Sequence, residues 1–385
     1  MARNRRVIIV AVVVAVVVAL VAAGAVVAVV ATHHGKGATT ATGPTTPGQT
    51  SASSTPASGI NTVPIAGLSA EQFGVSTGVQ LFNEKVDKID QDMSAFAALP
   101  THWVRTAVRW DLIEPNSANE DDWTKVDRIV DDATKDHLSL ILNVTGTPPW
   151  ARSPDATTNV QFPPDLHTYA TFTGKIAARY KGRVAAYELG NEPNHVKSFA
   201  TPDPKLYEQV LQLSYPLIKA ADPATLVLTG GLGGTTGKGV VGGDEYLEDL
   251  YKAGAEPYFD GVSYHPYTYP LLPSDDSGSR SWSRMLHARQ VMVDNGDADK
   301  KIWVTEYGAP TGGPGSVSQQ QQAAIMYDAY RLWATYPWAG PLCWFDYRDK
   351  GTDTSDHSNF FGLYAKDGQP KVSLQQYESL VRSAS

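Results

Sequence analysis

The sequence predicts an α/β protein: a single (β/α)8 barrel preceded by a transmembrane helix and a disordered linker. Three observations carry this expectation. Short apolar runs alternate with longer helical stretches across residues 66–385, the pattern of parallel βαβ units. The runs reach eight, which suits a closed barrel better than an open sheet. Residues 7–31 carry no charge, and a membrane-spanning helix needs ~20 apolar residues.

The elements follow in chain order. Arg3, Arg5 and Arg6 flank the apolar segment 7–31, so residues 1–31 read as an N-terminal signal-anchor helix with its basic end in the cytoplasm. The segment is too long for the apolar part of a cleavable signal, ~7–15 residues. The expected location is therefore the cell membrane, single-pass, with everything beyond residue 31 outside. Small residues at Ala22-Ala23-Gly24-Ala25 leave cleavage open, in which case the protein is secreted. Residues 32–65 are Thr, Ser, Gly, Pro and Ala with almost no large apolar side chain. Such a segment buries too little to offset its ordering entropy and reads as a tether.

Within residues 66–385 the strand-like runs are 73–75, 102–108, 138–144, 184–189, 225–229, 259–265, 302–305 and 342–345. Helical periodicity fills 123–136, 166–180, 204–220, 244–253, 281–295 and 318–336. No repeat of solenoid period is visible.

Charge and cysteine use narrow the function classes. Removing the three N-terminal arginines from the overall −8 leaves −11 on the remainder, which argues against a nucleic-acid partner. The single Cys343 excludes an internal disulfide, so the core alone must hold the exported domain. Cys343 sits in the apolar run Pro341–Phe345 and reads as a buried structural thiol.

In a barrel of this kind, chemistry gathers at the C-terminal ends of the strands. Run two ends near Arg105 and Arg109, run four at Asn191-Glu192, and run six at His265-Pro-Tyr267. Run seven ends at Glu306-Tyr307 and run eight at Trp344-Phe-Asp-Tyr347, while run three leads into Thr147-Pro-Pro-Trp150. Two carboxylic acids delivered to one rim are the parts needed to break a glycosidic bond. The aromatics suit a pyranose face and the polar groups its hydroxyls. Arg105 and Arg109 point the same way on a strand, so spacing does not choose between them.

With these strand ends, residues 70–385 resemble clan A of the glycoside hydrolases, and within it the family 39 and family 5 group. Asn191-Glu192-Pro193 matches the clan's acid/base motif, and Glu306 before an aromatic and a glycine matches its nucleophile. His265-x-Tyr267, Trp344, Val104-Arg105 with Trp110, and Pro148-Pro149-Trp150 also match. The resemblance implies a retaining hydrolase of O-glycosyl bonds in which Glu306 attacks and Glu192 carries the proton. It favours Arg105 over Arg109 and assigns Asn191 to the sugar 2-hydroxyl. It makes Trp344 the floor of the subsite; Trp150 and Tyr347, aromatics of the same rim, are further expected platforms. His265 is expected to orient either a sugar hydroxyl or Glu192, and Tyr267 to support Glu306.

The expected partner is an extracytoplasmic polysaccharide or oligosaccharide, cleaved internally by a monomeric domain that needs no cofactor or metal. A transglycosylase on the same residues, or a silent carbohydrate-binding barrel, are the rival readings. Three patterns are declined. Thr229–Gly239 looks like a phosphate loop but has Leu232 and Gly239 where Gly and Ser/Thr are required. Asp353, Asp356 and His357 fit no metal template. Asn143-Val-Thr145 is a glycosylation sequence placed in an expected buried strand.

Overall fold

The computed structural model describes residues 59–277 and 280–384. Eight parallel strands close on themselves in the order β1 to β8. They are β1 (Phe73–Ser76), β2 (Trp103–Arg109), β3 (Ser139–Thr145) and β4 (Ala186–Asn191). There follow β5 (Leu226–Gly233), β6 (Gly261–His265), β7 (Lys301–Tyr307) and β8 (Ala339–Phe345). Closure runs through β1, which pairs with both β2 and β8. Gly74 lies opposite Cys343 there, and a Cβ on it would stand 2.5 Å from the Cys343 sulfur. Only glycine lets the seam close at that point.

Alternation along the strands sorts side chains to two faces. Ile141, Ala186, Leu228, Trp303 and Cys343 fill the barrel's interior as one small buried cluster. Leu142, Tyr187, Val227, Val304 and Leu342 belong to the large cluster between the sheet and the outer helices. Strands buried on both faces read as unbroken apolar runs, which is why the eight were found within a few residues of their ends.

The six expected helices form at Thr124–Lys135, Leu166–Arg179, Pro204–Ala221, Gly243–Lys252, Ser281–Asp294 and Gln319–Trp333. Their starts have local causes. Asp203 accepts from the Lys205 and Leu206 amides ahead of Pro204. Ser318 and Gln321 form a reciprocal capping box. Beyond these and the one-turn helices Gln80–Asn83 and Trp110–Ile113, two longer helices form outside the expected six, Val86–Ala98 and Val372–Ser383. Both carry the apolar i, i+3, i+4 spacing that buries Ile89, Met93 and Phe96 in one, and Leu374, Tyr377 and Val381 in the other.

The expected signal-anchor over 1–31 and most of the linker lie outside the described residues. Among those described, no helix is long and apolar enough to cross a membrane. The last linker residues are docked rather than loose. The Asn61 amide donates to Gln376 at 2.7 Å, Gln376 donates back to the Asn61 carbonyl at 2.8 Å, and Tyr327 donates to the Val63 carbonyl at 3.2 Å.

Candidate active site

On β4 the residues of one parity, Tyr187 and Leu189, pack outward among the large helix-facing cluster. Those of the other parity, Ala186 and Glu188, turn inward, and Glu192 follows at the same parity just past the strand. Its backbone is left-handed, φ 47°, one of two such non-glycine residues among those described. This conformation costs free energy and persists where surroundings over-determine it. Here the Glu192 amide donates to the Gly231 carbonyl at 3.1 Å, and its carbonyl accepts from the His195 amide at 2.9 Å. Buried Asn194 bridges the turn to β5, exchanging hydrogen bonds with Gly233 and donating to the Val241 carbonyl at 2.7 Å.

Glu306, near the end of β7, is enclosed by donors. The Arg105 guanidinium contacts its Oε1, and the Tyr267 hydroxyl donates to Oε2 at 2.9 Å. Burial alone would raise the carboxyl's pKa. The charges of His265 and Arg105 and the Tyr267 hydroxyl overcome that, bringing it from 4.5 down to about 2. Tyr267 responds in the opposite sense: burial, then the Glu306 charge, hold it well above 10.0, so it remains a donor. Spacing left Arg105 and Arg109 undecided. The structure gives Arg105 to Glu306, while Arg109 pairs with Asp111 at 2.6 Å.

His265 stands between the two glutamates. Its Nδ1 is 3.4 Å from Glu192 Oε1 and 3.8 Å from Glu306 Oε2. Those oxygens are thus at most about 7 Å apart, a bound that includes the ~5–5.5 Å retaining spacing and leaves little of the ~6.5–9.5 Å inverting range. Burial alone would lower the imidazole pKa; the Glu306 charge and the Glu192 hydrogen bond reverse this and leave it raised above 6.5. Its Nε2 meets the Thr305 hydroxyl at 3.1 Å. A Cβ at Gly231 would lie 2.0 Å from that nitrogen, so one glycine of the phosphate-loop-like string makes room for His265. Asn191 accepts from Arg105 Nη2 at 2.9 Å.

A cavity of about 510 Å3 opens beside Tyr267. Thr236, Tyr269, Asp276 and Arg280 help line it.

The profile of the cellulases, glycosyl hydrolase family 5, matches residues 57–339. The chain belongs to this family. Among solved structures, a family 39 glycoside hydrolase from the gut symbiont Bacteroides cellulosilyticus WH2 superimposes with a TM-score of 0.67 at 21% identity. The match covers 82% of this chain and 64% of that one, so the chain spans less than two thirds of that relative's length. A monomeric β-xylosidase from Caulobacter crescentus CB15 gives a TM-score of 0.63 at 19% identity over 82% and 69% of the two chains. A GH5_18 protein from Streptomyces cattleya in complex with GlcNAc gives 0.62 at 17% over 82% and 80%. At these identities the likeness is one of fold. No curated protein matches the chain in sequence.

In this family 5 barrel, three expected aromatic platforms lie elsewhere. Trp344 does not form a cleft floor. It is fully buried on the helix-facing side, edge-on to Tyr307 at 6.0 Å. Its neighbour Phe345 has the opposite parity and approaches Tyr267, Phe361 and the Lys350 ammonium instead. Tyr347 is also buried, edge-on to Phe96 at 4.7 Å on helix Val86–Ala98. Trp150 is exposed, but it lines a separate cavity with Asn119, His167 and Lys175. Its indole N–H is tied to the Glu114 carbonyl at 2.7 Å.

One residue at the centre was missed. Glu188 has no exposure and grips Arg105 with both oxygens. Its even spacing from Glu192 was a readable signal, since residues i and i+4 of a strand share a face. The declined sites have ordinary explanations. Asp353 and Asp356 bond Ser355 and Ser358, and Asn143 is buried with its amide on the Gly190 carbonyl at 2.6 Å. The closing Lys371 joins Asp349 at 2.6 Å and Thr311 at 2.8 Å, tying the loops after β7 and β8.

Proposed function

We propose that this family 5 domain is a retaining glycosidase in which Glu306 is the nucleophile and Glu192 the acid/base. The observation that carries the reading is the unequal setting of the two glutamates. Glu306 is held as an anion by Arg105, Tyr267 and His265, while Glu192 is freer, with about a quarter of its side chain open to solvent. A Glu306 oxygen bonds to the anomeric carbon as the bond to the leaving oxygen breaks, and the Glu192 proton passes to that oxygen. Water then attacks the same carbon, Glu306 departs with the bonding pair, and Glu192 takes the water's proton. His265, touching both carboxyls, aligns the pair. Asn191, oriented by Arg105, faces the sugar 2-hydroxyl, and Tyr267 walls the cavity in which a further sugar unit rests.

The substrate we infer is an extracytoplasmic polysaccharide or oligosaccharide. It is cleaved internally in a cleft by a monomeric domain that the N-terminal segment tethers outside the membrane, or releases if that segment is cut. The family 5 match over residues 57–339 supports the class and not the sugar.

The test is Glu306→Gln, assayed on a panel of aryl glycosides and soluble polysaccharides. Turnover should fall by at least about 10⁴-fold while glycan binding persists, as expected when a group acting only in the transition state is removed. Turnover within about tenfold of wild type excludes Glu306 as the nucleophile.

A further inference from the structure

Glu188 has no role in the reaction as written, yet it is the most enclosed charge of the cluster. Its oxygens accept from Arg105 Nε at 2.8 Å and Nη2 at 3.1 Å. They also accept from the Gly231 amide at 2.8 Å, the Ser263 hydroxyl at 3.2 Å and the Thr305 hydroxyl at 3.3 Å. Strands β2, β5, β6 and β7 thus converge on one carboxylate. The same guanidinium reaches Glu306 through Nη1 and Asn191 through Nη2. One cation therefore serves two buried anions. The other charged groups nearby are His265, whose Nε2 is 4.0 Å from Glu188, Glu192 beside His265, and Lys350 and Asp346, both within electrostatic reach of Glu306.

We propose that Glu188 is a positioning residue of this site: it clamps the Arg105 fork so that it faces both Glu306 and Asn191, and takes up part of its charge, which keeps Glu306 nucleophilic. The proposal rests on the reading of Glu306 as nucleophile. A bidentate carboxylate fixes both the orientation and the field of a guanidinium. Without Glu188 the whole cationic charge falls on Glu306. A carboxylate so stabilised attacks the anomeric carbon more slowly, but it is a better leaving group when water displaces it. The two half-reactions should therefore move in opposite directions. Simple loosening of the site would slow both.

The experiment compares the whole protein with its Glu188→Gln and Glu188→Asp variants, using 2-deoxy-2-fluoroglycosyl fluorides of the gluco, xylo, manno and galacto series. The rate of inactivation reads formation of the glycosyl–Glu306 bond, and the rate of reactivation in buffer reads its cleavage. For Glu188→Gln we expect inactivation about threefold slower and reactivation about threefold faster, so that their ratio shifts about tenfold, the effect of roughly one pKa unit on the Glu306 carboxylate. Glu188→Asp keeps the charge, so the ratio of its two rates should stay near wild type even if both fall. Should the Gln variant not fold, as judged by its melting transition, that ratio in the Asp variant carries the test, and a ratio shifted tenfold or more overturns the proposal. Rates that fall together in the Gln variant, or do not change, overturn it and leave Glu306 in place. Failure of every probe to label Glu306 in the wild type removes the nucleophile reading and the proposal with it.

Discussion

Replacing Glu306 by Gln should alter how stability depends on pH, by an amount the structure sets. Folding moves this carboxyl from 4.5 to about 2. At 1.36 kcal/mol per unit, that favours the native state by about 3 kcal/mol whenever the group is ionised in both states. A depressed acid contributes stability above its unfolded pKa and loses it as pH falls towards the folded value. The contribution is thus complete above pH 4.5 and gone below about pH 2. About 2 kcal/mol of it is lost between roughly pH 6 and pH 3. The assay is guanidinium chloride unfolding of both proteins at intervals across that range, with the variant's stability subtracted from the wild type's. Other carboxylates titrate in both proteins and cancel to first order. The difference should fall with acid by about 2 kcal/mol. A difference that is flat across the range refutes the idea that Arg105, His265 and Tyr267 hold Glu306 as an anion.

Two further outcomes separate the parts of the site. Gly231→Ala places a Cβ 2.0 Å from His265 Nε2, so the imidazole must move; turnover should fall about 10²-fold, the cost of a misplacement of ~1 Å, and steady-state kinetics with unchanged kcat would exclude His265 from aligning the glutamates. Trp344→Phe should lower stability by about 1–2 kcal/mol in chemical unfolding while KM stays within twofold, because the indole faces helices; a raised KM would return Trp344 to the cleft.

Parity decides how much of this fold and site the sequence makes legible. Glu192 and His265 end their runs beside Pro, and Glu306 stands two residues before Gly308, so their place at strand ends followed from sequence. Side-chain direction did not follow in the run Leu342-Cys-Trp-Phe345. A parallel strand buried on both faces has no polar residue to mark which side is inward, and the resemblance that pointed to Trp344 does not fix its parity. Tyr347 fails for a different reason: it lies past the strand, and its ring packs edge-on against Phe96 of helix Val86–Ala98, which the sequence reading does not include. Arg105 shows the limit from the other side. Its spacing equalled that of Arg109, and only the third dimension shows Asp111 neutralising one and Glu306 engaging the other. Glu188 was legible by its even offset from Glu192, which puts both on one face of the strand.

Cys343 turns the barrel's interior into its own clock. The chain has one sulfhydryl, fully enclosed where β8 meets Gly74 at the closing seam, and burial raises its pKa far above that of a free thiol. A thiol so placed, among Ile141, Ala186, Leu228 and Trp303, meets a labelling reagent only when the barrel opens around it. The pace at which one equivalent of reagent is consumed under native conditions therefore counts the openings of the barrel, one molecule at a time, with no second cysteine to confuse the tally.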